Sequence, residues 1–457
     1  MTRLDRRQFL TSSALAAGAA LVTSRLAFAS TNTSSRFVFI ILRGALDGLT
    51  AVPPYGDADY ARLRREIAVP APGAANGAIR LDNLFGLHPS LGFLGESYTA
   101  RELVAFHAVA SPYRERSHFD GQDVLENGFV RPHASQSGWL NRALAAVPAS
   151  SRKELGVALG QNVPLVMRGP AAVASWSPSK LAALDEDTLE RITDLYSRDP
   201  LLSKRLADAL SADAIASEAQ SDAADGDAST SPQMSADAAG ARKASAGSPE
   251  LLAKLEQGKA GAGARYVEVI RAAAGFLRRD DGPQIAVFDA TGWDTHANEG
   301  GAQGQLGARL GALDAGLRTL KEQLGPAWKN TAVLIATEFG RTAAINGTRG
   351  TDHGTGAAAF LLGGAVQGGR VVADWPGLSS SSLYEGRDLK PTLDVRSVMK
   401  GVLAEHLRVP TAALENDVFP DSARAPALGN LFRADSPRDP SRPAIEGFPL
   451  APCFFMG

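Results

Sequence analysis

The chain has 457 residues, with 47 Lys and Arg against 49 Asp and Glu, a net charge of −2 and 44% hydrophobic residues. Balanced charge with no basic stripe along any predicted helix argues against a nucleic-acid partner. The one cysteine, Cys453, has no partner for an internal disulfide. No Cys cluster offers a thiolate zinc site, so a bound metal falls to His and carboxylate ligands.

The N-terminus reads as a targeting segment. Arg6-Arg7-Gln8-Phe9-Leu10 is followed by a mildly apolar run from Ala14 to Val22 and an A-x-A site at Ala27-Phe28-Ala29. Charged, apolar and small-residue regions in that order define an export signal over residues 1–29. The paired arginines and the weak apolar run point to the twin-arginine translocase as the export partner. The expected location is therefore periplasmic or secreted, reached in the folded state. Beyond the signal no apolar run is long enough for a membrane span. Residues 30–457 are expected to form one large domain.

Strand signals then alternate with helical ones. Phe37 to Leu42 is a short apolar run of β-formers, read as a buried parallel strand. Leu103 to Val109 is a second strand, with a helix expected over 119–127. Gln284 to Phe288 is a third, and Gln303 to Leu324 shows apolar residues at helical spacing. Thr331 to Ala336 and Ala357 to Leu362 complete the set, and Asp394 is placed to cap a helix through about Leu407. The alternation predicts an α/β fold with a mainly parallel central sheet flanked by helices. Residues 211–248 are Ala, Ser, Asp and Gly with almost no large apolar side chains, and read as a flexible insertion between helical flanks at about 180–210 and 250–278, with the helix propensity of Ala leaving partial helicity open.

The polar residues cluster just after strand C-terminal ends, where open α/β sheets bind ligands. Two of the seven histidines have a nearby aspartate, Asp294 with His296 and Asp352 with His353. Imidazole and carboxylate together suit a divalent transition metal, and each pair equally suits a loop-forming turn. Ser117-His118 opens a predicted helix, so Ser117 is either an N-cap or a hydroxyl facing an anion at the helix N-terminus. His118 is open as ligand, base or surface residue. Asp47, in RGALDG, can ligate metal or form a turn. Glu338 follows an apolar strand and needs a cation or Arg341 as partner, and Arg341 can alternatively grip phosphate or sulfate. His88, His107, His133 and His406 read as structural or surface residues, and Trp139, Trp293 and Trp375 as core.

The leader together with LRGALDGL, RSHFDGQDVLENG, FDATGWDTH, TEFGRT and GTDHGTGAAAFLLGG resembles the exported bacterial family called domain of unknown function 1501. That family resembles the alkaline phosphatase and sulfatase superfamily. The resemblance implies an alkaline-phosphatase-like fold with metals at strand C-terminal ends. It implies Asp47, Asp294, His296, Glu338 and His353 as ligands, Ser117 as hydroxyl nucleophile and Arg341 as the anion's cation. Phe339 stands where the superfamily has an imidazole, and Asp352 and His118 are the residues that could compensate. The function implied is metal-dependent hydrolysis of phosphate or sulfate esters, with zinc, manganese, calcium or iron as cofactor and an anionic small molecule as substrate. The alternative is a non-catalytic binding or assembly protein that keeps the fold and at most one metal.

Overall fold

The computed structural model describes residues 35–147, 155–178, 186–196, 199–227 and 266–433. The predicted export signal, Cys453 and most of the predicted insertion lie outside them. A nine-stranded sheet organises the rest. Its strands are β1 (Arg36–Arg43), β2 (Leu103–Ala110), β3 (Gly156–Leu159), β4 (Val173–Trp176), β5 (Ile285–Thr291), β6 (Thr331–Thr337), β7 (Ala357–Leu362), β8 (Arg370–Val372) and β9 (Leu393–Asp394). The order across the sheet is β8-β2-β7-β6-β1-β5-β3-β4, with β9 also pairing to β2. All pairings are parallel except those of β7, which runs antiparallel to both β2 and β6.

β1 shows why the sheet sits in the middle. Val38, Ile40 and Leu42 enter one apolar cluster and Phe37, Phe39 and Ile41 the other, all at most 1% exposed. Successive strand residues point to opposite faces, so a strand apolar at every position needs cover on both. One cover is α4 (Gln305–Leu324), which follows α1 (His118–Asn127), α2 (Pro200–Asp227) and α3 (266–278) in the chain. It presents Leu306, Leu310, Leu313, Leu317, Leu320 and Leu324 to the first cluster. The other cover includes α5 (Val395–Glu405), whose Val398, Met399, Val402 and Leu403 join the second. Asp394 caps α5 as predicted, accepting the Arg396 amide at 2.9 Å. This is the α/β class read from the alternation of elements.

Residues 211–227, the start of the expected insertion, continue α2, the partial helicity that their Ala content left open. Ala212, Ile215, Ala216 and Ala219 are buried in it. Their spacing is helical, and small side chains on one stripe allow close approach: a Cβ on Gly275 of α3 would fall 2.5 Å from that of Ala219. The short strands β3 and β4 and the helix Trp139–Ala146 are additional to the predicted elements. No helix among the described residues is long and apolar enough to cross a membrane.

Four histidines outside the polar cluster are structural or at the surface, as expected. His88, His107 and His406 are buried and His133 is exposed. His107 Nε2 meets the Val52 carbonyl at 3.0 Å, and His406 Nε2 meets the Arg36 carbonyl at 2.8 Å. Burial pushes both imidazoles down to about 4. In the unfolded chain they take up protons near the ordinary value of about 6.5. The unfolded state therefore binds more protons between those values. Stability should fall as pH drops from about 6.5 to about 4, by up to roughly 3 kcal/mol per residue, with no further loss from these groups below. Thermal midpoints measured across that window should fall more steeply for the native protein than for a His107→Gln, His406→Gln variant. Equal slopes would refute the assignment.

Candidate metal centre

The site forms at one edge of the sheet for a topological reason. β1, β2, β5 and β6 are mutually parallel, so their C-terminal ends share that edge. β7 runs the other way, so Asp352 and His353, which precede it, arrive at the same edge. The loop after β6 and the loop before β7 are stitched together. Gly340 N donates to the Thr355 carbonyl at 3.0 Å, Thr342 N donates to that of Asp352 at 2.9 Å, and Arg341 and His353 form an antiparallel bridge. The loop after β5 is anchored by Trp293, buried with its Nε1 donating to the Ala290 carbonyl at 2.9 Å. Against it lies Gly44, at φ +119°, where a Cβ would meet the Asp294 nitrogen at 2.7 Å. Only glycine fits both that conformation and that approach.

His118, Asp294 and His353 converge, with one ligand atom from each lying within 4.8 Å of the others. His118 Nε2 is 3.5 Å from Asp294 Oδ2, and His353 Nε2 is 3.3 Å from Asp294 Oδ1. His296 joins them, its Nε2 3.0 Å from Asp294 Oδ1 and 2.9 Å from His353 Nε2.

Each imidazole is oriented through its other nitrogen. His118 Nδ1 lies 2.8 Å from Glu338 Oε1, His296 Nδ1 lies 3.3 Å from Asp352 Oδ1, and His353 Nδ1 lies 2.9 Å from the Arg116 carbonyl. The partners of His118 and His353 accept, so in those rings Nδ1 carries the proton and, in the neutral form, Nε2 presents its lone pair inward. Both nitrogens of His296 face carboxylate oxygens, Asp352 through Nδ1 and Asp294 through Nε2. The His296 and His353 Nε2 atoms lie 2.9 Å apart, a contact that holds with a proton or a metal cation between them. His118 Nε2 and one terminal nitrogen of Arg341 are buried with no hydrogen-bond partner.

The electrostatics favour positive charge here. The hydrogen bond that His118 donates to Glu338 raises the His118 imidazole above its ordinary value. Desolvation, followed by the neighbouring His118 charge, lowers His353. Burial would raise Asp294, but the hydrogen bond and charge of Arg341 outweigh it and hold the carboxyl low. Arg341 NH1 donates to Asp294 Oδ1 at 2.7 Å. Burial also opposes ionisation of Glu338, and hydrogen bonds from His118, Gln122 and the Gly44 amide reverse it.

Several predicted roles change. Glu338 stands behind the imidazole: its Oε1 accepts from Gly44 N at 2.8 Å and Gln122 Nε2 at 3.1 Å as well as facing His118. With those contacts filled it orients a ligand rather than being one. Asp352 does the same for His296, steadied by Asn346 Nδ2 at 2.9 Å. Asp47, predicted as a ligand, lies apart from the converging group. It caps the short helix Gly48–Ala51 and is ion-paired with buried Arg64. Ser117 is the N-cap residue of α1, and its side chain makes no capping hydrogen bond. Phe339 stacks on His118 with ring centroids 5.0 Å apart and lies 5.4 Å from the His353 ring, packing both imidazoles in place.

The sequence reading missed Glu299 and Arg64. Glu299 is fully buried, accepting from Thr351 at 2.7 Å and Thr295 at 3.1 Å. Thr50 lies 3.3 Å from it and Arg64 3.5 Å. Burial, then the adjacent Asp47 charge, raises Glu299 well above the usual carboxylate range. Asp47 is held low because Arg64 outweighs burial. The one available signal for Glu299 was its place five residues after Asp294, in the same loop.

The chain belongs to the family described as "Protein of unknown function (DUF1501)", which matches residues 34–417. No curated protein matches. Among solved structures, that of BT1596, a 2-O GAG sulfatase, is similar at 12% identity and a TM-score of 0.28, over 74% of this chain and 66% of that one. The chain thus spans just under two thirds of that protein, and a likeness this low carries no argument about activity.

Arg64→Met should be strongly destabilising, by about 3–5 kcal/mol, because it strands the Asp47 charge in a buried site. An Asp47→Asn, Arg64→Met double variant should recover part of the loss. Chemical denaturation midpoints test this; a neutral single variant would show that the pair contributes nothing.

Proposed function

We propose that this protein is an exported metal-dependent hydrolase of phosphate or sulfate esters, built around one divalent ion held by His118, Asp294 and His353 with His296 beside them. The observation that carries the reading is the convergence of three imidazole Nε2 atoms on the Asp294 carboxylate, with His296 and His353 Nε2 only 2.9 Å apart. A Nδ1-bound carboxylate behind a metal-binding imidazole is a recurrent arrangement, and Glu338 and Asp352 supply it twice. The donor set of imidazole and carboxylate fits zinc, manganese or iron better than calcium, which prefers oxygen ligands. Such an ion supplies charge neutralisation and polarisation of the ester oxygens.

The chain's own residues have separate tasks in this reading. Arg341 holds Asp294 with one nitrogen and leaves its unpartnered terminal nitrogen for an anion oxygen. Ser117 begins α1, where the helix N-terminus favours a bound anion. Its Oγ attacks phosphorus or sulfur and its proton passes to solvent. The bond from phosphorus or sulfur to the ester alcohol breaks, and the alcohol leaves with a proton from water. Water then cleaves the serine ester, returning Ser117 and releasing phosphate or sulfate. The twin-arginine leader adds delivery of the folded protein to the periplasm or beyond. The alternative, a binding or assembly protein, keeps the ion and drops the Ser117 step.

The purified protein should carry close to one zinc, manganese or iron per chain by elemental analysis, and an Asp294→Ala, His353→Ala variant should carry none. Glu338→Gln should keep the fold and weaken metal binding about 10–100-fold. Ser117→Ala should keep the metal and abolish turnover of phosphate or sulfate esters. A metal-free native protein would overturn the metal reading. Metal retention without turnover of either ester class would leave the binding protein as the better one.

A further inference from the structure

Glu299 is buried where three loops of the site meet. Its Oε2 accepts the Thr351 hydroxyl at 2.7 Å and the Thr295 hydroxyl at 3.1 Å, and its Oε1 lies 3.3 Å from the Thr50 hydroxyl. Thr295 stands between Asp294 and His296 in the chain, and Thr351 immediately precedes Asp352 and His353. Both threonines are buried, and Thr351 N donates to the Thr295 carbonyl at 3.2 Å. One carboxyl oxygen thus holds the two loops that supply Asp294, His296 and His353.

The loops lie so close here that this clamp sets their separation. Gly350 has no room for a side chain, because a Cβ there would overlap the His296 carbonyl. That carbonyl accepts from Asn346 Nδ2 at 3.0 Å and from Thr348 Oγ1 at 2.6 Å. Glu299 is itself fixed through its backbone. Its amide donates to the Arg349 carbonyl at 3.0 Å, and its carbonyl accepts the Leu306 amide, in the first turn of α4, at 3.0 Å. Each threonine has a single O–H to give, and Glu299 takes both. The lone pairs of Thr351 are then left for Arg341 Nε, 3.2 Å away, and Arg341 donates onward to Asp294 Oδ1 at 2.7 Å. Glu299 therefore reaches Asp294 by two routes, along the chain from Thr295 and across the loops through Thr351 and Arg341.

Resting on the metal reading of this site, we propose that Glu299 is a positioning residue: by holding Thr295 and Thr351 on one oxygen, it fixes where Asp294, His296 and His353 stand relative to one another. It acts through the two threonines and is not a ligand. A divalent ion then meets donors already in place. Without the clamp the same donors remain, but they must be drawn together on binding, which lowers affinity and relaxes the coordination geometry.

The test is the zinc affinity of the full-length protein, measured by competition with a chromophoric chelator. The visible absorption of the cobalt(II)-loaded protein accompanies it, because that spectrum reports ligand number and geometry. Thr295→Val removes one hydroxyl, keeps the side-chain shape and leaves Glu299 in place. It should weaken zinc binding about tenfold, the lower end of the range for residues that orient metal ligands, and alter the cobalt spectrum. Glu299→Met should weaken zinc binding further. Glu299→Gln, which keeps an acceptor oxygen for both hydroxyls, should restore the native affinity and spectrum. In the Glu299→Met background Thr295→Val should add nothing, because the two act through one contact. A purely structural Glu299 would lower the thermal midpoint of these variants and leave zinc affinity and cobalt spectrum at their native values; that result overturns the inference. A Thr295→Val effect of equal size with and without Glu299 overturns it as well. If Glu299→Met fails to fold, the Thr295→Val affinity decides alone. A native protein that takes up neither zinc nor cobalt overturns the inference together with the metal reading.

Discussion

Glu338 is a fully buried carboxylate at the end of an apolar central strand, and the loops around it are arranged to supply its donors. The Gly44 amide comes from the loop after β1, His118 and Gln122 come from α1, and the Thr337 hydroxyl comes from its own strand end. A buried ionised group without such partners would cost several kcal/mol. Satisfying it fixes α1 against the sheet edge and turns the His118 ring so that Nε2 faces Asp294. Arg43 extends the network on the other side, donating to Gln122 and pairing with Glu126 and Asp289. One carboxylate thus joins the strand that carries it to the helix that carries the first imidazole.

A second buried group lies beneath the loop after β1 and solves a different problem. Asp47 and Glu299 lie close together without access to water; Arg64 neutralises Asp47, and burial beside that charge pushes Glu299 toward its protonated form. A permanent guanidinium therefore already occupies the cation position that Asp47 would otherwise offer. This is the physical reason why the proposed centre is mononuclear. The two systems meet through Thr351, which donates to Glu299 and accepts from Arg341 at 3.2 Å. The position of Arg341, and through it that of Asp294, thus depends on a structural network as well as on the site itself.

The central sheet was legible because its long strands carry nearly continuous apolar runs, and such runs have few alternatives in a chain of this size. Ala357–Leu362 matches its predicted limits, and β1 and β2 extend theirs by one or two residues. Short strands such as Gly156–Leu159 carry too few residues to show a pattern. The helix over 211–227 was left open rather than placed because composition was weighed above periodicity: Ala212, Ala216 and Ala219 form a stripe of small residues that reads as low complexity. At the site, the residue types were visible in GWDTH, TEFGRT and TDHG. Their division into converging groups and groups behind them was not. Sequence places Glu338 directly after one strand and His353 four residues before another, and only their folded contacts show which one faces the converging group. Arg64 sits far from every motif and announces itself by nothing but its burial.

The same geometry bears on the choice between an enzyme and a binding protein. A purely structural ion is usually enclosed by its ligands, whereas a catalytic one keeps an open side. Asp294 and His296 retain side-chain exposures of 43% and 44%, while Glu338 and Arg341, which hold the ligands, are fully covered. The fixed parts are buried and the converging parts reach solvent, so preorganisation and access coexist. Arg341 has one buried nitrogen without a hydrogen-bond partner, a condition that Arg64 and Arg396 share, so it does not by itself mark an anion site. The open face is the feature that a ligand-handling site requires and that keeping the loops folded does not, and in the proposed reading Ser117 would decide whether handling becomes chemistry.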